Sequence, residues 1–241
     1  MDRLRTLDLT KTYNGVPVVD HIGLEFASAR ITALLGRNGA GKTTTFLMMA
    51  GIVKPDDGSV ELNGESVDNI PSYERSQKGL IYLPQQHSVF IKATVFDNLY
   101  MVLEMYHPAE TAREKALELL ADFGLLGIKD SIAYQLSGGE KRRLEIARAL
   151  IMKPRFLFLD EPFTGIDPIT IMDIQKVILK LKEMGIGIVI TDHNVKDTFY
   201  ITDLAYIIHK GRILSSGTPA EVVREEKTRQ VFLGKDFEWN G

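Results

Sequence analysis

The sequence predicts an α/β protein in which a mixed sheet core carries an antiparallel β subdomain and an inserted α-helical subdomain. Three nearly apolar runs, at residues 31–36, 156–161 and 186–193, each end in a polar or glycine residue. Such runs are typical of central parallel strands that are covered on both faces. The N-terminal region instead alternates apolar and polar positions, as an antiparallel sheet does. Residues 95–149 carry apolar residues at helical spacing, which predicts helices between the strands.

The order of these segments predicts one domain with two lobes. We expect residues 1–85 and 156–241 to form the core lobe and residues 86–155 to form a helical lobe inserted into it. Near the end of the chain, Lys210-Gly211 predicts a hairpin turn, and Thr218 followed by Pro219 predicts a capped helix start.

Composition excludes several classes of function. The chain has 241 residues, a formal net charge of -3 and no cysteine. A nearly balanced charge gives no support for a nucleic-acid partner. Without cysteine there can be no disulfide, thiolate metal site or cysteine nucleophile. No apolar run approaches the roughly 20 residues of a membrane span. We therefore expect a cytoplasmic protein that contacts a membrane only through partners.

Residues 36–43, which read GRNGAGKT, match the phosphate-loop pattern G-x-x-x-x-G-K-T between a buried strand and a helix. Glycines let backbone N–H groups surround phosphate oxygens, Lys42 adds a cation, and Thr43 offers a hydroxyl to Mg²⁺. The residues of this segment expected to bind ATP are Gly36, Arg37, Asn38, Gly39, Ala40, Gly41, Lys42, Thr43 and Thr44. The core is therefore predicted to be a P-loop NTPase of the RecA-like type, with ATP and Mg²⁺ as ligands.

Two later strands end in candidate catalytic groups. Asp160 and Glu161 close the run FLFLDE, where Asp160 would hold Mg²⁺ and Glu161 would deprotonate an attacking water. His193 ends the next apolar run and should project into the same crevice. The alternatives are a helix cap or solvated pair for the two acids and a structural role for the histidine.

A second glycine turn, Ser137-Gly138-Gly139-Glu140, precedes the helical stretch LEIARALI. Its spacing is that of a capping box, and the simplest interpretation is a helix start and nothing more. Because glycines weaken a helix start, we interpret them as allowing an anion to approach the backbone closely. The phosphate loop already serves one triphosphate, so the expected ligand is the nucleotide of a second copy. The basic residues 141–143 are expected to form a solvated helix face.

Together, LSGGE at residues 136–140, the phosphate loop and LFLDEP at residues 157–162 resemble the ATP-binding cassette family. In that family two cassettes meet head to tail, and the LSGGE turn of one covers the γ-phosphate held by the other. The resemblance extends over the whole chain. It implies an ATPase that forms a homodimer, with Ser137, Gly138 and Gly139 binding phosphate across the interface.

Further site residues follow from this resemblance. Tyr13 resembles the aromatic residue that stacks on adenine, and Gln85, in YLPQQ, resembles the glutamine that reaches Mg²⁺ and the attacking water. Asp167, in TGIDP, resembles the loop aspartate that crosses the dimer, and His193 resembles the histidine that contacts the γ-phosphate. The residues expected to be catalytic are Lys42, Gln85, Glu161 and His193, and those expected near Mg²⁺ are Thr43, Gln85 and Asp160.

A cassette without membrane spans is expected to serve integral membrane permease subunits on the cytoplasmic face of the inner membrane. ITDHNV at residues 190–195 and the tail VFLGKDF at residues 231–237 are similar to cassettes that power lipopolysaccharide export. Cassettes of branched-chain amino-acid importers are the alternative, and a stand-alone P-loop phosphotransferase is the alternative of another class. We expect the permease subunits to dock near Val89, Phe90 and Ile91, unless Phe90 and Ile91 pack inside the helical lobe.

Overall fold

Two β-sheets form the centre of the molecule in the computed structural model, which describes residues 1–234 and 237–239. A four-stranded sheet has the order β2-β1-β4-β5, and a six-stranded sheet has the order β10-β9-β3-β8-β7-β6. The strands are β1 (Arg3–Tyr13), β2 (Val16–Ala27), β3 (Ile31–Leu35), β4 (Asp57–Leu62), β5 (Glu65–Ser66), β6 (Leu80–Leu83), β7 (Phe156–Asp160), β8 (Gly187–Thr191), β9 (Leu204–His209) and β10 (Arg212–Gly217).

Helices connect and cover these strands. The α-helices are α1 (Lys42–Met49), α2 (Ser72–Gln77), α3 (Val95–Leu103), α4 (Ala109–Asp122), α5 (Gly138–Leu150), α6 (Pro168–Glu183), α7 (Val195–Ile201), α8 (Pro219–Arg224) and α9 (Glu226–Thr228). Short 3-10 turns occupy Leu126–Ile128 and Ala133–Gln135, and a π turn occupies Arg229–Leu233.

The smaller sheet is antiparallel, as the alternating N-terminal pattern predicts. Ile22, Leu24 and Phe26 on β2 point to one face and are buried there, while the residues between them are exposed. That face packs on α1, which lies between the two sheets, and Phe46 of α1 meets Phe158 of β7 with ring centroids 5.7 Å apart. The start of α1 is therefore held rigidly by apolar contacts on both sides.

The larger sheet is parallel except at one edge. Strands β3, β7 and β8 are buried at every position, and β6, β7, β8, β3 and β9 pair in parallel. At the edge, β9 and β10 form the predicted antiparallel hairpin, whose turn residues Lys210 and Gly211 both have positive φ angles. Because parallel strands end at the same edge, the polar residues that follow β3, β6, β7 and β8 lie along one side of the molecule.

Helices α3, α4 and α5 follow one another between β6 and β7. Thr94 starts α3 and Ser137 starts α5, each with a reciprocal capping box. Gly124, with φ 65°, follows α4. The apolar faces of these helices join the core of the larger sheet. On this basis we propose that residues 86–155 act as one lobe inserted into a core of residues 1–85 and 156–241.

The described part of the tail returns to α7. The ring of Trp239 makes an edge-to-face contact with Phe199 on that helix, at a centroid distance of 5.8 Å. Lys235 and Asp236, which belong to the tail stretch singled out in the sequence, lie outside the described residues, as do Asn240 and Gly241. Across residues 1–234 and 237–239, every helix is too short or too polar to span a bilayer.

Candidate active site

The phosphate loop joins β3 to α1 and ends at Gly41. Gly41 has φ 106°, and a Cβ atom there would lie 2.4 Å from the carbonyl oxygen of Val18, so only glycine fits. The first intrahelical bond of α1 runs from the N–H of Thr45 to the carbonyl oxygen of Gly41, 2.9 Å away. The N–H groups of Lys42 and of the two residues after it precede that bond and have no intrahelical acceptor. Within the described residues no side chain caps this start, which leaves it open to an anion.

Lys42 is 94 % buried by its own loop, with a relative exposure of 6%. Its ammonium nitrogen donates to the carbonyl oxygens of Gly36, at 2.9 Å, and Arg37, at 3.3 Å. Burial lowers the pKa of Lys42, while the nearby carboxylates of Glu161 and Asp160 act in the opposite direction. The lysine is therefore held across the curve of the loop, with acceptors that phosphate oxygens could replace.

Asp160, the last residue of β7, is buried and accepts three hydroxyl groups. Its Oδ2 accepts from Tyr82 at 3.1 Å, and its Oδ1 accepts from Thr191 and, at 3.4 Å, from Thr43 of the phosphate loop. Burial and the charge of Asp160 raise the pKa of Tyr82, so this phenol remains a neutral donor. The carboxylate is thereby fixed beside the loop hydroxyl.

The residues present fit a magnesium ion bound together with phosphate. The Thr43 hydroxyl and the Asp160 carboxylate are oxygen donors of the kind that Mg²⁺ prefers. Among the described residues there is no cluster of three or more histidine or acidic side chains that could hold a metal alone. A divalent cation here would need oxygens from its substrate, as Mg²⁺ in nucleotide sites does.

Glu161 follows Asp160 with a backbone φ of 45°, in the left-handed region that non-glycine residues rarely adopt. Its N–H donates to the carbonyl oxygen of Thr191 at 2.8 Å, which holds this conformation. Its Oε2 accepts from Gln85 Nε2 at 2.8 Å and from Thr164 Oγ1 at 3.0 Å, and lies 3.5 Å from His193 Nδ1. Three side chains, from the segments that follow β6, β7 and β8, thus meet around one carboxylate oxygen.

A cavity of about 540 Å³ joins the phosphate loop to this cluster. The residues lining it are Val18, Asn38, Gly39, Gly41, Lys42, Thr43, Thr44, Gln85, Glu161 and His193. Asp160 lies beneath the cavity floor, through its contact with Thr43. Tyr13, at the end of β1, is 45% exposed and stands outside the lining, as do Asp167 and the LSGGE turn. Val18 is a lining residue that no sequence motif indicated.

The LSGGE turn is self-capped. Ser137 Oγ donates to Glu140 Oε2 at 2.7 Å, and the same carboxylate oxygen accepts from the N–H of Ser137 at 2.8 Å. A Cβ atom on Gly139 would lie 1.9 Å from Thr170 Cγ2, on α6 of the same chain. Contact with Thr170 thus gives Gly139 a packing reason to lack a side chain, beside the predicted approach of an anion to its backbone. Gly138 has no such neighbour, the nearest atom to a Cβ there being 3.8 Å away.

The sequence pattern of the ABC transporter family matches residues 19–164, more than half of the chain. The chain belongs to the ABC transporter family. As an ABC transporter ATPase it binds ATP and couples ATP hydrolysis to transport.

Curated relatives of this ABC transporter ATPase match it over nearly their full length. It is 45% identical to the lipopolysaccharide export system ATP-binding protein LptB of Haemophilus influenzae, over 98% of this chain and 99% of that protein. LptB of Acidithiobacillus ferridurans is 46% identical, over 98% of both chains, and LptB of Escherichia coli strain K12 is 43% identical, over 98% of this chain and 99% of that protein.

Solved structures agree on the fold. MJ1267, described as an ATP-binding cassette of an ABC transporter, has a TM-score of 0.89 at 27% identity, over 97% of this chain and 100% of that one. CbiO1 of Clostridium perfringens, described as part of the ABC transporter complex cbiONQ, has a TM-score of 0.84 at 29% identity, over 94% and 92% of the two chains.

In this ABC transporter ATPase, Arg142 is buried, which contradicts the expectation of a solvated basic face at residues 141–143. Its guanidinium pairs with Glu145 at 3.2 Å and donates to the carbonyl oxygens of Pro84, at 3.1 Å, and Asp160, at 3.3 Å. Those carbonyls immediately precede Gln85 and Glu161. Burial lowers the pKa of Arg142, and the charge of Glu145 opposes that effect. Arg142 therefore links α5 to the two segments that carry Gln85 and Glu161.

The segment predicted to dock partners is only partly exposed. Val89 is buried, with a relative exposure of 7%, so the prediction that it lies at a docking surface is wrong for its side chain. Phe90 and Ile91 are 46% and 50% exposed and line an apolar groove of about 550 Å³ together with Met101 and Met105. The guanidinium of Arg148 lies 4.8 Å from the centre of the Phe90 ring. The alternative, that Phe90 and Ile91 both pack inside the lobe, does not hold, because both side chains are about half exposed.

Proposed function

We propose that this ABC transporter ATPase powers the export of lipopolysaccharide, as a homodimer that binds ATP and Mg²⁺ and acts on integral membrane subunits. The observation that carries the proposal is the 45% identity to an LptB protein over 98% of this chain and 99% of that one. The three curated relatives described above are all named for lipopolysaccharide export, which favours export over amino-acid import. Membership of a transporter family leaves the stand-alone phosphotransferase without support.

In this proposal the triphosphate lies in the phosphate loop. The open N–H groups at the start of α1 bind its oxygens, and the buried ammonium of Lys42 leaves the carbonyl oxygens of Gly36 and Arg37 for phosphate. Because Lys42 is already desolvated, its attraction to phosphate is weakly screened. Tyr13, half exposed at the end of β1, stacks on the adenine.

The ligands proposed for the magnesium ion are Thr43, Asp160 and, towards the attacking water, Gln85. Asp160 is fixed by Tyr82 and Thr191, so its carboxylate needs little reorganisation to hold the ion. When bound, Mg²⁺ supplies positive charge that neutralises the β- and γ-phosphate oxygens.

Hydrolysis then depends on Glu161, Gln85 and His193. Glu161 accepts a proton from the attacking water, and its fixed backbone aims the carboxylate into the cavity. Gln85, hydrogen-bonded to Glu161 at 2.8 Å, orients that water. His193 lines the same cavity and contacts the γ-phosphate of the substrate.

A second copy is proposed to complete the site. Ser137 and Gly138, exposed or half-exposed at the start of α5, present N–H and hydroxyl groups to the γ-phosphate of the partner's nucleotide. Gly139 lies in the same helix turn. Asp167 caps α6 by accepting from the N–H of Thr170 at 3.0 Å and, since this bond lowers its pKa, stays charged where the two copies cross.

The groove around Phe90 and Ile91 is proposed to receive the membrane subunits, which would place the chain on the cytoplasmic face of the inner membrane. Its lining is apolar, with Met101 and Met105 beside the two exposed residues, and such a groove suits an apolar helix segment. Motion of α5 reaches this groove through Arg148, which contacts Phe90 and the carbonyl oxygen of Ser88.

The transport experiment uses the complex purified from native membranes and placed in proteoliposomes that hold lipopolysaccharide. ATP should drive release of lipopolysaccharide, and the Glu161→Gln complex should not. A complex that moves branched-chain amino acids and leaves lipopolysaccharide in place would overturn the export proposal.

The docking surface is tested with Ile91→Asp and a matched control, Ile52→Asp, since both isoleucines are about half exposed. The first variant should lose the membrane subunits on purification while keeping the basal ATPase rate of the isolated chain. The control should keep both. Equal recovery of the subunits with both variants would contradict docking at this groove.

A further inference from the structure

Thr164, the first residue of the TGIDP stretch, had no role predicted from the sequence, yet it lies between two of the groups to which the proposed function gives catalytic roles. It follows β7 in the turn that leads to α6, and its Oγ1 is 3.0 Å from Glu161 Oε2 and 3.3 Å from His193 Nδ1. Those two atoms are 3.5 Å from each other. The hydroxyl thus forms the third corner of a triangle with the proposed base and the proposed phosphate contact.

The threonine hydroxyl carries one hydrogen but has two neighbours that can accept it. If it donates to Glu161, His193 can bond to it only through an Nδ1–H group, and the neutral imidazole then has a bare Nε2. If it donates to His193 Nδ1, the neutral imidazole carries its hydrogen on Nε2. The tautomer of His193 and the hydrogen bond to Glu161 are therefore linked through the rotation of one hydroxyl group, that of Thr164.

The other groups around the triangle leave this link intact. Glu161 Oε2 also accepts from Gln85 at 2.8 Å, so its two lone-pair positions are filled while Thr164 donates to it. Asp192 is the other carboxylate near His193, and its Oδ1 lies 3.6 Å from Nδ1, beyond hydrogen-bond range. Asp192 instead accepts from the N–H groups of Phe163 and Asn194.

We propose that Thr164 is a positioning residue that couples the tautomer of His193 to the availability of Glu161, and the inference rests on the proposed role of His193 at the γ-phosphate. Without substrate, Thr164 donates to Glu161 and His193 is the Nδ1–H tautomer. A γ-phosphate oxygen accepts hydrogen bonds and selects the Nε2–H tautomer. Nδ1 then becomes an acceptor and takes the hydroxyl hydrogen of Thr164.

This exchange frees one lone pair of Glu161 Oε2 for the attacking water, and it does so only when phosphate is present. The proton lost from Nδ1 and the proton gained at Nε2 exchange with solvent, which reaches the ring because the His193 side chain is 57% exposed. Neither the charge of the imidazole nor that of the carboxylate changes. The proposed coupling therefore needs only rotation of the Thr164 hydroxyl and a change of tautomer at His193.

The first test compares Thr164→Val, which keeps the shape and removes the hydroxyl, with Thr164→Ser, which keeps the hydroxyl. One lost hydrogen bond predicts a decrease in kcat of about 2- to 10-fold for the valine variant, with the KM for ATP unchanged. The serine variant should recover the wild-type kcat. A valine variant with wild-type kcat would overturn the coupling.

The second test reads the tautomer directly, by ¹⁵N NMR of histidine-labelled protein with the His193 signals assigned from a His193→Asn sample. Without nucleotide, Nδ1 should carry the hydrogen. With Mg²⁺ and the non-hydrolysable analogue AMP-PNP, Nε2 should carry it. In Thr164→Val the preference for Nδ1–H without nucleotide should be lost. The same tautomer in both states of the wild type would overturn the inference.

Glu161→Gln separates the two levels of the argument. If this variant hydrolyses ATP at the wild-type rate, the proposed catalytic role of Glu161 and the coupling built on it both fail. If it loses hydrolysis while Thr164→Val keeps it, only the coupling fails.

Discussion

Helices α1 and α5 both begin at a glycine-containing turn, yet only α5 has a side-chain cap at its start. Gly41, in front of α1, has a left-handed backbone, and no described side chain caps that helix. In front of α5, Ser137 and Glu140 cap each other's backbone N–H groups. The first start can accept an anion as it stands. At the second, the hydroxyl of Ser137 has to exchange a bond that it already makes to Glu140.

The energies of this exchange are similar in size. A cap of this kind contributes about 0.5–2 kcal/mol, and an anion at a helix N-terminus contributes about 0.3–1 kcal/mol at exposed positions. A phosphate held by α5 alone would thus gain little. If α5 binds a partner's nucleotide as proposed, we therefore expect it to do so only when a phosphate loop already holds that nucleotide, which would make pairing of two copies depend on ATP.

The largest effect is expected for Glu161→Gln, which leaves both helix starts in place and removes the proposed base. Hydrolysis should fall by a factor on the order of 10²–10⁴ while ATP binding remains. The variant should accumulate as a dimer on a sizing column with ATP and Mg²⁺. Exposed Glu118 on α4 supplies the control, Glu118→Gln. If the Glu161→Gln variant stays monomeric under these conditions, the start of α5 does not bind the nucleotide of a second copy.

The next largest effect is expected for Lys42→Ala, which removes the ammonium group at the uncapped start of α1. This variant loses the charge-assisted contact between the lysine and the phosphates of ATP. The loss of about 1.5–3 kcal/mol corresponds to roughly 10- to 100-fold weaker ATP binding. The matched variant at the capped start, Lys141→Ala, should leave the ATP affinity of the isolated chain unchanged in calorimetry. Similar losses in both variants would remove the distinction between the two starts.

The two glycines of the capped start should differ in their effect on stability. Gly139→Ala places a methyl group against Thr170 and should lower the free energy of unfolding in urea by about 1–3 kcal/mol. Thr170→Ser removes the clashing methyl and should restore part of this loss. Gly138→Ala should unfold like wild type but fail to dimerise with ATP. Equal destabilisation by the two alanines would refute the packing explanation.

The smallest effect is expected for Ser137→Ala, which should lower the free energy of unfolding by about 1 kcal/mol at neutral pH. The bonds from Ser137 lower the pKa of Glu140 below its ordinary value of 4.5. A carboxylate with a depressed folded pKa stabilises the protein above its ordinary pKa, and this contribution is lost as the pH falls through the folded value. The difference between variant and wild type should therefore shrink below about pH 4.5. If the stability difference between variant and wild type did not change with pH, the charge of Glu140 would not contribute to the cap.

Features that depend on neighbours in sequence could be predicted well. Strands β3, β7 and β8 follow from continuous apolar runs, and the phosphate loop follows from the spacing of its glycines and lysine. The cap at Ser137 follows from an acid three residues later. Each is decided by residues within one turn or strand, so local pattern was sufficient.

Features that depend on distant segments could not be read in the same way. Arg142 is buried because Glu145, Pro84 and Asp160 meet it in the folded chain, while a basic run looks solvated in sequence. Gly139 is required by Thr170, which belongs to a different helix. Thr164 gains its neighbours only when the segments after β7 and β8 come together. These contacts are tertiary, and periodicity carries no signal of them.

The contact between Trp239 and Phe199 gives the protein an optical reporter of its own. The chain has a single tryptophan, so all indole emission comes from this one place. Phe199 belongs to α7, which begins two residues after His193. A displacement of that histidine towards bound nucleotide would tilt the indole's neighbour and alter its emission, and stopped-flow fluorimetry could then time the event in unlabelled protein.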